Sequence, residues 1–167
     1  MVLTVSMLER KIFSVRETFN YKFTFEHSGL ARASMKEQLA AWQTSLKFHG
    51  YDTGRPKSWL EAFNQLKELI IASPKKKKVI FIDEMPWMDT PKSGFISALE
   101  FFWNGWASAR KDITLIVCGS ATSWIINKTI RFQEDTKSTK SIHQILISAN
   151  GVKRNAYSDI VPKNYRR

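Results

Sequence analysis

The spacing of apolar residues predicts alternating strands and helices over about the first 130 residues. Apolar residues at every second position between residues 21 and 25 predict a strand. Two later stretches repeat apolar residues at steps of three and four, the spacing of one helix face, and each follows a serine and a glutamate in capping-box spacing. The predicted faces are Met35, Leu39, Trp42 and Leu46 after Ser34, and Leu60, Phe63, Leu66 and Ile70 after Ser58.

Two largely apolar runs predict buried strands. Residues 79–82 (VIFI) precede two acids, and residues 112–118 (DITLIVC) precede a glycine and a serine. Runs without alternation are typical of central strands in a parallel sheet. A helix expected to open at Thr90-Pro91, with proline in its first turn, separates the runs, so we expect them to be adjacent parallel strands. The order of elements predicts a layered α/β domain.

Composition excludes several classes of protein. Hydrophobic residues make up 43% of the 167, enough to fill a core, so global disorder is not expected. One cysteine, Cys118, and three scattered histidines give neither a disulfide framework nor zinc-ligand spacing. No apolar run reaches the roughly 18 residues of a membrane span, and the apolar start lacks the basic residues of a signal peptide. We therefore expect a cytoplasmic protein.

Individual histidines, the cysteine and the aromatic residues are expected to be structural. His27 is predicted at the surface or in a cap, after the first strand, and His49 at a helix end. Cys118 is predicted to be a small buried residue of its strand. The tryptophans are expected to lie in the core rather than to stack on bases.

Charge divides the chain into two parts. The formal net charge is +11, and residues 131–167 hold eight basic and three acidic residues, which gives this tail +5. All six tryptophans precede residue 131. We therefore expect a core over residues 1–130 and a basic, poorly ordered tail over 131–167. The lysine run 75–78 is interpreted as a solvated entry to a strand rather than a nucleic-acid site.

The strongest chemical signal is the acid pair at the end of the first apolar run. Four apolar residues followed by Asp83 and Glu84 form the Walker B pattern of nucleotide-hydrolysing α/β domains. A central strand would carry both acids to the sheet edge where ligands bind in open α/β folds. Asp83 would hold Mg²⁺ and Glu84 would orient and deprotonate an attacking water. The alternative is a buried strand that ends in two solvated acids.

The stretch 77–128, with its tryptophan-rich segment after the acids, resembles the prokaryotic AAA+-type ATPases, also called the archaeal ATPase superfamily, which are P-loop NTPases. The similarity covers about residues 16–128. It implies a three-layer αβα core with a parallel sheet, truncated relative to the family, and it implies ATP and Mg²⁺ as ligands. By this resemblance Asp83 is the metal-binding acid, Glu84 the catalytic acid and Ser120 the sensor-1 residue.

The chain departs from the family where a glycine-rich phosphate loop is expected. Lys11 aligns with the lysine of that loop, but Arg10 occupies the place of its second glycine and Ile12 that of its hydroxyl residue. Glycines let backbone N–H groups surround the phosphates. Losing two or three such bonds would cost about 3–9 kcal/mol. We therefore expect weak ATP binding and an impaired ATPase.

The tail also departs from the family, which continues after residue 128 with a Gly-Gly-Leu-His-like segment and a further strand. We interpret residues 131–167, together with residues 1–10, as non-homologous sequence from a truncated or frame-shifted gene. Two alternatives remain open: a basic nucleic-acid-binding module, favoured by net charge, and a non-functional gene remnant. Full-length relatives imply self-association or an output domain as further partners.

Overall fold

The computed structural model describes residues 2–6 and 15–119, and in this part four parallel strands form one sheet. The strands are β1 (Val2–Ser6), β2 (Phe25–Ser28), β3 (Lys78–Asp83) and β4 (Ile113–Gly119). The helices are α1 (Met35–Phe48), α2 (Trp59–Ala72), the single-turn α3 (Met85–Met88) and α4 (Phe95–Gly105), followed by a 3-10 turn at Ala107–Ala109. Residues 15–18 are also helical.

The strands lie in the order β1-β4-β3-β2. The predicted adjacency of the two apolar runs is confirmed, because β3 pairs with β4 in parallel from Lys78 opposite Ile113 onward. All six residues of β3 are buried, as expected for a central strand covered on both faces. Since every pairing is parallel, the four strands end at one edge of the sheet, here called the carboxyl edge.

Helical layers cover both faces of the sheet, which confirms the three-layer αβα fold. Helices α1, α2 and α4 pack on the face that carries Ile80 and Ile82. Residues 15–19 cover the other face, where the Phe23 ring lies 6.1 Å from Phe19 and 5.3 Å from Phe81. The chain passes from β1 to β2 at the far edge of the sheet and then returns through β3 and β4. Because right-handed crossovers that run in opposite directions lie on opposite faces of a sheet, the first connection covers one face and the later helices cover the other.

Aromatic side chains fill the helical face of the core. Trp42 lies at their centre, with ring centroids 4.8 Å from Phe25, 5.2 Å from Phe63 and 5.4 Å from Trp59. Its indole N–H donates to the carbonyl of Ala62, which satisfies the buried polar atom. The expectation of core tryptophans is confirmed for Trp42, Trp59 and Trp103, whereas Trp87 is 37% exposed and Trp106 is only partly buried.

The predicted helix starts hold at both serines. Ser34 forms the full capping box with Glu37. The Ser58 hydroxyl accepts from the Glu61 amide, but the Glu61 carboxylate accepts from the Lys57 amide instead of closing the box. The predicted face of α2 is wrong at Leu60, which is 55% exposed; Trp59 takes its place because the helix begins there.

Two other boundaries differ from the prediction. The helix expected at Thr90-Pro91 begins at Phe95, because residues 91–92 form a turn and Gly94 (φ 71°) caps the helix in the left-handed region. The first predicted strand begins only at Phe25, since Tyr21 has a positive φ and lies in a turn. Within the described residues, no helix has the length and apolar character that a membrane crossing requires.

Candidate functional site

The carboxyl edge brings the acid pair next to the ends of the neighbouring strands. Asp83 is the last residue of β3 and lies opposite Ser28, the last residue of β2. On the other side, β4 extends to Gly119 and pairs there with Ser6, the end of β1. Parallel strands therefore place all four ends along one line, the position at which open α/β sheets bind ligands.

Two of the predicted site residues lie outside the described residues. Lys11 belongs to residues 7–14, which connect β1 to the helical residues 15–18, and Ser120 directly follows β4. The strands that lead to both segments end at the carboxyl edge, beside Asp83. The proposed boundary at residue 130 and the tail 131–167 also lie outside the described part.

Asp83 is a buried carboxylate that has few means of compensating its charge. Its side chain lies in a residue that is 5% exposed, and one carboxylate oxygen accepts from the Glu84 amide at 2.9 Å. Burial raises the pKa of Asp83 to about 6; the amide bond lowers it and the charge of Glu84 raises it further. A desolvated carboxylate of this kind is stabilised by any cation that binds beside it.

A pair of charged residues near Asp83 was not anticipated from the sequence. Arg16, in the helical segment after residue 14, forms a 2.7 Å ion pair with Glu26 of β2. Its guanidinium lies 6.0 Å from the Phe81 ring, on the sheet face that Asp83 shares. Arg16 lowers the pKa of Asp83 and Glu26 raises it. No local motif predicts this pair, because its members are ten residues apart and meet only when the helical segment packs on the sheet.

Glu84 adopts a left-handed backbone conformation, with φ 50° and ψ 44°, where β3 ends and α3 begins. Such a conformation costs free energy for a residue with a Cβ and is often found at functional sites. The neighbouring Gly29 donates its amide to the Asp83 carbonyl at 3.0 Å. A Cβ on Gly29 would lie 2.7 Å from the Glu84 carbonyl oxygen, so glycine is required there.

A buried glutamine connects the segments that leave β2 and β3. Gln38 of α1 is 1% exposed, and its side-chain oxygen accepts from the Leu30 amide at 3.0 Å. Its amide group donates to the carbonyls of Leu30 at 2.7 Å and Trp87 at 3.1 Å. The glutamine therefore fixes the backbone around Glu84 from the adjacent helix. No sequence pattern indicated this role, since Gln38 is a polar position within an amphipathic helix.

His27 is not at the surface, contrary to the prediction. It lies in β2, is 3% exposed, and its ring is 4.9 Å from Trp42. Its Nδ1 is hydrogen-bonded to the Ser45 hydroxyl at 2.9 Å, and its buried Nε2 has no hydrogen-bond partner in the described part of the chain. The prediction failed because β2 begins four residues later than the alternation indicated, which places His27 inside the strand. His49 caps α1 and Cys118 is buried, as predicted.

The acid pair offers two carboxylates, the number that proteins usually contribute to a magnesium ion. Among residues 2–6 and 15–119, no group of three or more His, Cys, Asp or Glu side chains could hold a metal. Mg²⁺ is usually held by one or two carboxylates, with phosphates and water as the other ligands. The buried carboxylate of Asp83 matches that mode of binding. The described residues thus suit a metal–phosphate complex rather than a bare ion.

Comparisons with known proteins find similarity in structure but not in sequence. No protein-family profile matches the chain, and no curated protein matches it. The fold resembles the Walker-type ATPase of Pyrococcus abyssi, with a TM-score of 0.54 and 16% identity, over 87% of this chain and 48% of that one. Drosophila ORC bound to DNA matches with a TM-score of 0.46 and 14% identity, over 78% of this chain and 75% of that one. These identities establish likeness of fold alone. The chain spans about half the length of the Pyrococcus protein.

Proposed function

We propose that this chain is an ATP-binding domain of the AAA+ type, with the Walker B and sensor-1 positions retained and a degenerate phosphate loop. The buried Asp83 carboxylate at the carboxyl edge of a central parallel strand carries the proposal. A desolvated carboxylate is costly for the folded protein, and a cation–phosphate ligand would offset that cost. The fold likeness to a Walker-type ATPase supports the same reading.

Each site residue has a separate role in this proposal. Asp83 holds Mg²⁺, through water, and Glu84 orients the attacking water and accepts its proton. Lys11 contacts the phosphates and Ser120 contacts the γ-phosphate or the attacking water. When bound, Mg²⁺ would neutralise charge on the phosphate oxygens. Gln38 and Gly29 keep the backbone of the acid pair in place through the contacts described above.

The phosphate loop limits this activity. Residues 5–12 lack the glycines that would let backbone amides face a phosphate, and Glu9 adds a negative charge. Phosphoryl transfer depends almost entirely on positioning and electrostatic stabilisation, so the acids cannot compensate for a missing phosphate cradle. We expect weak ATP binding and little hydrolysis by this chain. We also propose that the chain associates with copies of itself or with an output domain of the kind that full-length relatives carry.

Calorimetric titration of the full chain with ATP and Mg²⁺ tests the binding site. We expect weak binding that is lost in Asp83→Asn. Asp52→Asn is the matched control, because Asp52 is exposed and pairs with Lys47 at the surface; it should bind like the parent chain. Equal binding by the parent chain and Asp83→Asn would contradict the assignment of Asp83.

A rebuilt loop tests the catalytic assignment. A variant with Gly-x-x-x-x-Gly-Lys-Thr placed around Lys11 should hydrolyse ATP faster than the parent chain, and Glu84→Gln in that variant should abolish the gain. In the unmodified chain Glu84→Gln should change little. Robust turnover of the unmodified chain that is lost in Glu84→Gln would show that phosphate is held in another way. If neither ATP nor DNA binds measurably, the remaining alternative is a non-functional remnant.

A further inference from the structure

A basic surface lies at the edge of the sheet where the strands begin, opposite the carboxyl edge. We call it the basic ridge and define it as Lys67, Lys76, Lys77, Arg110 and Lys111. Each of these side chains is exposed or half-exposed. The Lys77 ammonium donates to the carbonyl of Lys111 at 3.2 Å, which joins the segments before β3 and β4. Cations that are distant in sequence therefore share one surface.

The acid beside the ridge does not cancel its charge. Asp112 accepts from Arg110 at 2.7 and 3.0 Å and from Lys78 at 3.1 Å. One carboxylate thus faces two cations, and the three groups together keep a positive charge. The pKa of Asp112 is held well below its usual range by the bond to Arg110, so this balance persists at neutral pH.

An apolar groove continues from the ridge between α2 and α4. It encloses about 470 Å³ and includes Phe101, which is 69% exposed. The Trp106 ring lies beside two ridge cations, 5.3 Å from the Lys67 ammonium and 5.0 Å from the Arg110 guanidinium. Glu61, which also lines the groove, belongs to the first turn of α2 and accepts from a backbone amide. The groove thus combines an exposed ring, Phe101, with a second ring, Trp106, that lies beside two ridge cations.

We propose that the basic ridge and this groove bind single-stranded nucleic acid, independently of the proposed ATP site. The ridge contacts the phosphates, a role for Lys76 and Lys77 that differs from the interpretation of the lysine run from sequence alone. A base stacks on Phe101, and the two contacts together are the combination that sequence-tolerant single-strand binding requires. Charge complementarity favours a polyanion, since the whole chain carries +11. An aromatic ring beside the cations favours an occupant with flat bases over an acidic peptide.

Fluorescence anisotropy of a labelled 20-nucleotide oligothymidylate, titrated with the full chain at several salt concentrations, tests the ridge. Lys77→Glu/Lys111→Glu should weaken binding by about tenfold or more and reduce the slope of log K against log salt by about 1.4, or about 0.7 for each phosphate contact. Lys36→Glu/Arg55→Glu is the matched control, since it makes the same charge change at exposed residues outside the ridge. The control should retain the parent slope.

The groove is tested by Phe101→Ala, which should weaken binding by about fivefold or more. Its thermal unfolding should match that of the parent chain, because the Phe101 side chain is largely exposed. Poly-glutamate at equal charge concentration should fail to displace the oligonucleotide. Four results would overturn the proposal: no binding by the parent chain, unchanged binding in the ridge variant, equal losses in ridge and control variants, or displacement by poly-glutamate with no effect of Phe101→Ala.

Discussion

Acidification should act on the stability of this chain through two buried groups with opposite effects, His27 and Asp83. Burial lowers the pKa of His27 from 6.5 to about 4, and burial raises the pKa of Asp83 from 3.8 to about 6. The unfolded chain therefore binds a proton at His27 before the folded chain does, so this group removes stability as the pH falls from 6.5 towards 4. Asp83 takes up its proton first in the folded chain, so it adds stability as the pH falls from about 6 towards 4.

The size of each effect follows from the two pKa values of each group. Between pH 7.5 and pH 5, linkage gives a loss of about 2 kcal/mol from His27 and a gain of about 1 kcal/mol from Asp83. The two contributions partly cancel in the parent chain. Removing either group should therefore reveal the other. The physical cause is the same in both cases, since desolvation disfavours the charged form of each side chain.

Urea unfolding followed by tryptophan fluorescence, repeated across this pH range, measures these contributions. The unfolding free energy of His27→Phe minus that of the parent chain should increase by about 2 kcal/mol between pH 7.5 and pH 5. The corresponding difference for Asp83→Asn should decrease by about 1 kcal/mol. Taking differences removes the effect of every other titrating group that the variants share. Differences that do not vary with pH, or that vary in the same direction, would refute the reasoning.

Three further predictions concern packing at and beside the site. Gln38→Leu should lower the unfolding free energy by about 2–4 kcal/mol, because it removes three hydrogen bonds to partly buried backbone groups, and the Leu30 amide should exchange faster with solvent. Gly29→Ala should destabilise the chain by about 1–3 kcal/mol, whereas Gly54→Ala, which meets no atom within 4 Å, should be close to neutral; equal effects would contradict the close contact. Cys118, 1% exposed with a pKa raised by burial, should react with a thiol reagent only as fast as the protein unfolds, and rapid labelling in native buffer would show otherwise.

The elements that the sequence predicted best are those fixed by local rules. The unbroken run 79–82 specified a strand buried on both faces, and all of β3 is buried. Ser34 and Ser58 located two helix starts, because a serine hydroxyl caps the amide three residues later. The start at Thr90-Pro91 failed because proline also suits a turn, and a glycine four residues later offered a better cap.

The candidate site was predicted only in part, because only some of its residues follow local rules. The sequence identified Asp83 and Glu84 because a strand carries consecutive acids to its end. It missed Arg16, Gln38 and Gly29, whose roles depend on partners 8 to 67 residues away along the chain. A polar residue in a helix or a glycine in a loop has no local signature of such a partner.

The sequence by itself thus determined that the two apolar runs are strands, where α1 and α2 begin, and that two acids end a central strand. These properties follow from interactions within about four residues and from the alternation of side chains along a strand. Tertiary structure alone decided that β4 lies between β1 and β3, that His27 is enclosed by Trp42, and that Lys77 meets Lys111. Each of these contacts depends on how separate segments pack against the sheet, so the residues near either partner in the sequence do not predict it.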